Sequence, residues 1–508
     1  MGRRFNPPHV YTKDLMMSKE LEKAREYEER KEKQIPEYLR PLFHLTPRCG
    51  WMNDPNGLSI YGGKYHMFYQ YYPYDTCWGP MHWGHAVSTD LLTWENLPCA
   101  MAPDTEVDKN GCFSGGAIET DDGKHLLIYT GVKKIQDENG DTKEIQTQCV
   151  AIGDGVNYEK HSLNPVIDAS KLPEGAGKYD FRDPKIWKEN GKYYIVVGNK
   201  TSDIDGQILM YSSEDGINWE YEKNVIKNNR RFGVMWECPD YFSVDDKQVL
   251  LTSPQDMLPE GLEFHNGNGT LCIIGHLDDN GVFVEENAQA IDYGIDFYAT
   301  QTLETADGRR IMLGWLQNWD TVGIRRDDFP WFGQLSLPRE ISVKDGKLIQ
   351  RPIREIENYY GKVVSRENVY ITDSCALSGI SGRTIDMTIS IKPTENRALY
   401  QKFEIRFADN GKSYSTIEYN PNDQVVKIDR KHSGSRRAIV HQRRCKVTDN
   451  GGKITLRMIM DRYSLELFIN DGEKVMSMGI FTDIHAEGIS FKVVGEAMMD
   501  VTMHELER

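Results

Sequence analysis

The chain has 508 residues, with 61 Lys and Arg against 77 Asp and Glu and a net charge of −16 at pH 7. So acidic a chain is poorly suited to nucleic acid or an anionic lipid surface, both of which need cationic partners. Its 39% hydrophobic and 10% aromatic content excludes global disorder and is enough to fill about two or three domains of ordinary size.

Residues 1–38 stand apart. The charged stretch Lys19 to Lys33, free of Gly and Pro, predicts a solvated helix with Glu/Lys pairs one turn apart, packed on the body by Leu21 and Tyr27 and ended by Pro36. The nine cysteines lie singly, without a Cys-x-x-Cys pair or zinc spacing, so neither metal nor disulfide framework is expected. With no apolar leader in MGRRFNPPHVYTKD and no apolar run near the ~18–20 residues of a membrane span, the expected location is cytoplasmic.

From about residue 50 a unit recurs in which a Gly or Asp turn is followed by an apolar strand. It reads Gly63-Lys-Tyr-His-Met-Phe-Tyr69, Gly123-Lys-His-Leu-Leu-Ile-Tyr129 and Gly191-Lys-Tyr-Tyr-Ile-Val-Val197, with fainter copies at Asp246–Thr252 and Gly308–Gly314. A second echo, Ser88-Thr-Asp-Leu-Leu-Thr-Trp94 and Ser213-Glu-Asp-Gly-Ile-Asn-Trp219, follows some copies. Near-constant spacing in β-rich sequence indicates a repeat architecture, and about 60 residues suits one four-stranded blade. Five copies predict a five-bladed β-propeller over residues 39–345. Beyond it, alternating strands such as Thr384–Ile391, Ile454–Met460 and Ser464–Ile469 predict a C-terminal β-sandwich over 346–508, with 340–360 as the connector. The fold class is all-β, with a short N-terminal helical extension.

Counting back eight or nine residues from the first four turns gives Asp54 in Trp51-Met-Asn-Asp-Pro-Asn-Gly57, Ser114 in Cys112-Phe-Ser-Gly-Gly116, Asp183 in Arg182-Asp-Pro184 and Glu237 in Trp236-Glu-Cys-Pro239; in the fifth copy the offset lands by Tyr298, in Asp296-Phe-Tyr-Ala-Thr-Gln301. The first strand of a propeller blade lines the axis, so Asp54, Asp183 and Glu237 are expected around one funnel. Each motif alone also reads as an ordinary Asp/Pro turn. Three at one offset favour a site. Converging carboxylates in a partly dry pocket raise at least one pKa, and separated pKa values are what acid and nucleophile at a glycosidic bond require.

In this order the motifs resemble glycoside hydrolase family 32, the invertases, inulinases and levanases, and the likeness extends through Gln70, Trp78-Gly79, His82–Ala86, Phe113–Gly115, Asp292–Thr302, Gly314–Gln317 and Asp461–Asn470. It covers roughly residues 38–508. Gly116 and Thr300 depart from the family's commoner residues. The resemblance implies a retaining hydrolase releasing terminal β-fructofuranosyl units from sucrose or short fructo-oligosaccharides, without a cofactor. Asp54 is then the nucleophile, Glu237 the general acid and base, and Asp183 the transition-state stabiliser. Trp51, Asn53, Gln70, Trp78, Phe113, Ser114, Arg182, Tyr298 and Trp315 are the candidate substrate-binding residues; Arg182 is also expected to keep Asp183 ionised, and Trp236 to favour a protonated Glu237. For Trp315 a blade-core role is about as good a reading as a sugar-stacking one.

Two alternatives stay open: a sucrose-6-phosphate hydrolase of the same family, and a catalytically inactive sugar-binding propeller. The first needs a cationic pocket at the funnel mouth. Arg325 and Arg326 are the obvious pair, but Asp327 and Asp328 follow them, so neutral saccharides are expected over the phosphorylated disaccharide. The remaining basic clusters, Arg436-Arg437 and His441–Arg444, read as solvated surface, and Asp137–Asp141 as a hairpin turn. The sandwich is a candidate surface for oligomer formation.

Overall fold

The computed structural model describes residues 17–137, 139–324, 329–395, 398–434 and 440–508. Arg325, Arg326, Arg436 and Arg437 lie outside the described residues.

Each of the five repeated turns joins the first and second strands of one antiparallel sheet. Gly63, Gly123, Gly191 and Gly308 have φ between 73° and 84°, and Asp246 has φ 59°. Such tight turns need the left-handed backbone, which Gly adopts freely and Asp tolerates. The second echo marks the turn into the outermost strand, where Asp90 and Asp215 each accept two backbone N–H groups ahead of them.

Blade 1 contains Gly50–Tyr61, Lys64–Tyr72, His82–Ser88 and Trp94–Met101. Blade 2 contains Gly111–Glu119, His125–Gln136, Thr142–Gly153 and Tyr158–Lys160; blade 3 contains Ala176–Glu189, Lys192–Thr201, Gly206–Ser213 and Glu220–Lys227. Blade 4 contains Met235–Val244, Lys247–Gln255, Leu271–Leu277 and Phe283–Gln289; blade 5 contains Tyr298–Glu304, Arg310–Trp315, Arg339–Lys344 and Lys347–Pro352. The innermost strands touch in sequence, and that of blade 5 returns to that of blade 1. The ring is stitched by Trp331–Phe332, a short strand from the long blade-5 connection that pairs in parallel with Gly50 and Trp51. Blade 5 runs past residue 345, because Lys347–Pro352 pairs along Arg339–Lys344 as its outer strand. Residue 345 lies in the turn of that hairpin, and the chain leaves the sheet only at Pro352.

After a short 3-10 turn, Arg354–Tyr359, two six-stranded antiparallel sheets form the sandwich. Its core follows the strand period: Ile385, Met387, Ile389 and Ile391 are buried on one face of Thr384–Pro393. The helix Lys19–Glu32 is capped by Ser18, which accepts from Leu21 N at 3.2 Å, and packs on blade 1 through Leu21, Ala24 and an edge-on Tyr27–Tyr74 contact. Asp137 accepts from the backbone of Asn139 and Asp141, as a hairpin turn does.

Buried charges weld the propeller to the sandwich. His44 sits between Asp461 at 2.8 Å and Glu466 at 3.1 Å. Arg339 of blade 5 reaches Glu466 at 2.7 Å and Asp292 at 3.0 Å, and Arg430 of the sandwich pairs with Asp296. Every one of these carboxylates and guanidiniums is buried, so their mutual pairing is what makes their desolvation tolerable.

Candidate active site

All five innermost strands carry a β-bulge at the level of the predicted site. The pairing register slips between Met52 and Pro55, between Phe113 and Gly115, between Arg182 and Lys185, between Glu237 and Asp240, and between Tyr298 and Gln301. A bulge frees residues from the ladder and re-aims their side chains. Here the freed residues are Asn53 and Asp54, Ser114, Asp183 and Pro184, Cys238 and Pro239, and Ala299 and Thr300. Asp183 (φ 67°), Cys238 (φ 49°) and Ala299 (φ 53°) all adopt left-handed backbone there, a strained choice for residues with a Cβ. In blade 4, therefore, Cys238 occupies the place of Asp183, and Glu237 precedes it by one residue.

The bulges bring the three acids together. Asp54 accepts from Ser114 Oγ on Oδ2 at 2.7 Å and from Asn53 Nδ2 on Oδ1 at 3.0 Å. Cys238 Sγ lies 3.5 Å from Asp54 Oδ2 and 3.7 Å from Asp183 Oδ2, and its backbone N donates to that same Asp183 oxygen at 3.0 Å. Asp183 N is held by Thr130 Oγ1 at 3.0 Å. Glu237 Oε1 accepts from Arg182 Nε and Nη2, both at 3.0 Å, while Tyr298 OH lies 2.7 Å from Oε2 and 2.9 Å from the Ser253 carbonyl.

One step further along the same strands, side chains link the blades across the axis. Gln301 takes Leu58 N at 3.1 Å and donates to Gly115 O at 2.7 Å, linking blades 5, 1 and 2. Lys185 of blade 3 donates to Thr302 O at 2.6 Å and lies 3.3 Å from Asp240 of blade 4. These bonds tie the blades together one step beyond the acids along the same strands.

Burial raises the Asp54 pKa and the Glu237 charge adds to it, against the donors Asn53, Ser114 and Cys238. Asp183 is also raised, first by burial and then by Glu237 and Asp54. Arg182 does pull it down, yet burial prevails, so the expected protection of the Asp183 anion by Arg182 is only partial. The hydrogen bonds of the guanidinium go to Glu237, Asp180 and Gln146 instead. Burial and the adjacent Asp54 and Asp183 hold the Cys238 thiol protonated, which suits it to donate to them.

Trp51 lies between Phe332 and Trp319 and donates from Nε1 to Asn53 at 2.7 Å, so it orients the residue that orients Asp54. Trp78 is exposed and meets the half-buried Phe113 edge-on. Gln70 is buried and donates to Cys112 O at 2.9 Å. Trp315 is 0% exposed, packed with Trp51 and Tyr298, and offers no open face to a sugar; of its two readings the blade-core one holds. Trp236 is on the far side of its strand, bonded to Phe232 O and packed on Gly206, and gives Glu237 no apolar cover. Sequence reasoning passed over Cys238, Thr130, Gln146 and Asp180. The one available signal was the eight-residue offset of Asp183, which in blade 4 points to Cys238. Among the described residues no three His, Cys, Asp or Glu side chains are grouped to hold a metal ion.

Two family models, described as Glycosyl hydrolases family 32 N-terminal domain and C terminal, match residues 44–352 and 355–506. The chain belongs to glycoside hydrolase family 32. It is 36% identical over 481 residues to a sucrose-6-phosphate hydrolase of Zymomonas mobilis, covering 91% of this chain and 90% of that protein. It is 34% identical over 464 residues to a raffinose invertase of Escherichia coli, covering 90% and 93%. Among solved structures, the family 32 beta-fructofuranosidase of Bombyx mori superposes with a TM-score of 0.82 at 34% identity, covering 96% of this chain and 98% of that one. A variant of that silkworm protein has been solved in complex with sucrose. The five-bladed propeller and sandwich are thus the family 32 architecture.

Proposed function

We propose that this protein hydrolyses terminal β-fructofuranosyl units from sucrose or short fructo-oligosaccharides, with retention of configuration. The observation that carries the reading is the convergence of Asp54, Asp183 and Glu237 from three blades, with Asn53, Ser114 and Cys238 donating to Asp54 and a guanidinium and a phenol fixing Glu237.

Asp54 attacks the anomeric carbon of the fructosyl unit while Glu237 protonates the departing glycosidic oxygen, leaving a fructosyl ester on Asp54. Glu237, now ionised, takes a proton from water; the resulting hydroxide equivalent breaks the ester and releases fructose. Both Arg182 donors occupy Oε1, so the transferable proton belongs on Oε2. Tyr298 can accept it there, provided its own hydrogen points to the Ser253 carbonyl. Asp183 stabilises the oxocarbenium-like transition state with its charge. Trp78 and Phe113 form an apolar edge for the sugar, and Asn53, Gln70 and Ser114 supply polar contacts beside Asp54.

The relatives named sucrose-6-phosphate hydrolase favour a second reading, in which the leaving glucosyl unit carries phosphate. The decisive comparison is kcat/KM for sucrose, sucrose 6-phosphate, kestose and inulin at low and high salt. A preference for the phosphorylated disaccharide of tenfold or more, eroded by salt, selects the second reading; comparable or better rates on sucrose select the first. Failure on all four removes both. Among the described residues no disulfide is formed, and nine cysteines scattered singly suit a reducing, cytoplasmic setting.

A further inference from the structure

Arg182 is one link in a longer row of alternating charges. Its Nη1 donates to Asp180 Oδ1 at 2.9 Å, and Asp180 Oδ2 lies 2.6 Å from Lys200 Nζ. From the rim inward the row is Lys200, Asp180, Arg182, Glu237. Asp180 lies two residues before Arg182 on one strand, and their side chains meet on one face. Lys200 reaches that face from the neighbouring strand, where a second irregularity opens the pairing between Asn199–Phe181 and Thr201–Ala176.

Blade 3 contains a device that holds this irregularity in place. Asn199 is fully buried, and its Nδ2 donates both to Asp180 O at 2.9 Å and to Gly177 O at 2.7 Å. Its oxygen accepts from Gln207 Nε2 at 2.8 Å, and Gln207 accepts from Asn224 Nδ2 at 2.9 Å. Three side-chain amides on three successive strands are committed to fixing the backbone at Asp180. A surface carboxylate with no task does not need such support, since each buried amide must be satisfied to be tolerated.

The row also answers a difficulty in the acid step. A guanidinium giving two hydrogen bonds to a carboxylate favours the anion, whereas Glu237 has to deliver a proton. Asp180 on the opposite end of Arg182 offsets that effect, and Lys200 sets how far it does. Resting on the function proposed above, we propose that Asp180 and Lys200 are positioning residues for the acid step: Asp180 aims Arg182 and partly neutralises it, and Lys200 restrains Asp180. The other charged or titratable groups facing Glu237 are Asp54, Asp183, Cys238 and Tyr298, none of which touches Lys200 or Asp180.

The two ends of the row must then act in opposite directions. Asp180→Asn leaves the Arg182 charge undivided, so the alkaline limb of the kcat/KM profile moves to lower pH. Lys200→Met frees Asp180 to neutralise Arg182 further, so that limb moves to higher pH. Shifts of roughly half a unit or more are expected for charges this close, and Lys200→Arg restores the wild-type position. A role confined to stability lowers activity at all pH values and moves no limb. Both side chains are partly exposed, 27% and 28%, so the variants are expected to fold. The same displacements are to be read without turnover by a 13C titration of the Glu237 carboxyl, assigned by the signal lost in Glu237→Gln. A wild type inactive on every fructoside would overturn the function while leaving this titration to judge the row. Unmoved limbs and signals, or displacements of the same sign in both variants, would overturn the proposal.

Discussion

Ser114 Oγ reaches across from blade 2 to hold one oxygen of Asp54 of blade 1 at 2.7 Å. That bond opposes the burial and the Glu237 charge that raise Asp54, so it helps keep the nucleophile ionised. Replacing Ser114 by Ala is expected to lower kcat/KM by about tenfold, the worth of roughly 1.5 kcal/mol for a hydrogen bond to a charged group. It also moves the acid limb of the pH profile upward, because the anion has lost a donor. Wild-type activity itself should fall off on the acid side at a pH above the ordinary Asp range. A Ser114→Ala enzyme with the wild-type acid limb would show that this bond does not govern Asp54.

His44 makes the union of propeller and sandwich depend on alkaline titration. Burial disfavours its cation, but Asp461 and Glu466 outweigh burial and raise its pKa from 6.5 to about 9. A raised His pKa contributes stability that is fully present below the unfolded value and lost as pH rises through the folded one. Stability should therefore decline from about pH 6.5 to 9, with a slope of up to about 1.4 kcal/mol per unit from this one proton. His44→Gln is expected to be less stable at pH 6.5 and to lose that slope. Denaturant midpoints of both proteins across the range provide the check, and equal slopes would refute the assignment.

On the acid side the behaviour reverses. His66, His85 and His125 form a buried group on blades 1 and 2, with His66 Nδ1 and His85 Nε2 2.9 Å apart and His125 against Ser59 at 3.0 Å. Burial lowers all three, His66 to about 4 and His125 to about 3, with His85 also far down. For a His kept neutral, stability is present above the unfolded pKa and lost as pH falls toward the folded one. The propeller should weaken steeply between about pH 6.5 and 4, and His66→Gln should make that decline shallower by about one proton. Titration of the denaturant midpoint with pH measures this; identical slopes would count against it.

The repeat was legible because tight turns need left-handed backbone, which leaves Gly or Asp at a constant interval. It carried the blade count and, through the offset, Asp54, Ser114, Asp183 and Glu237. What it missed depends on contacts between distant strands. A one-residue difference in bulge placement puts Cys238, not Glu237, opposite Asp183, and no spacing reveals which bulge type a strand adopts. The role of Arg182 toward Asp183 was legible from their adjacency, and it is partial; its hydrogen bonds to Glu237 were not legible, because Glu237 comes from the next blade. Asp292 and Asp296 stood out only as part of a family-like stretch; their sandwich partners Ser477 and Arg430 lie 185 and 134 residues away, and these contacts join the two domains. Trp315 shows the limit of residue type alone, since the same side chain serves a sugar platform or a blade core depending on which face of the strand it occupies.

The pairing of nucleophile and acid is tested most directly by the leaving-group dependence of Glu237→Ala. Its kcat/KM is to be compared with wild type on sucrose and on a fructoside whose leaving group needs little protonation. The account predicts a loss of several orders of magnitude on sucrose and a much smaller loss on the activated fructoside, with Asp54→Ala equally impaired on both. Equal losses for Glu237→Ala on the two substrates would contradict it.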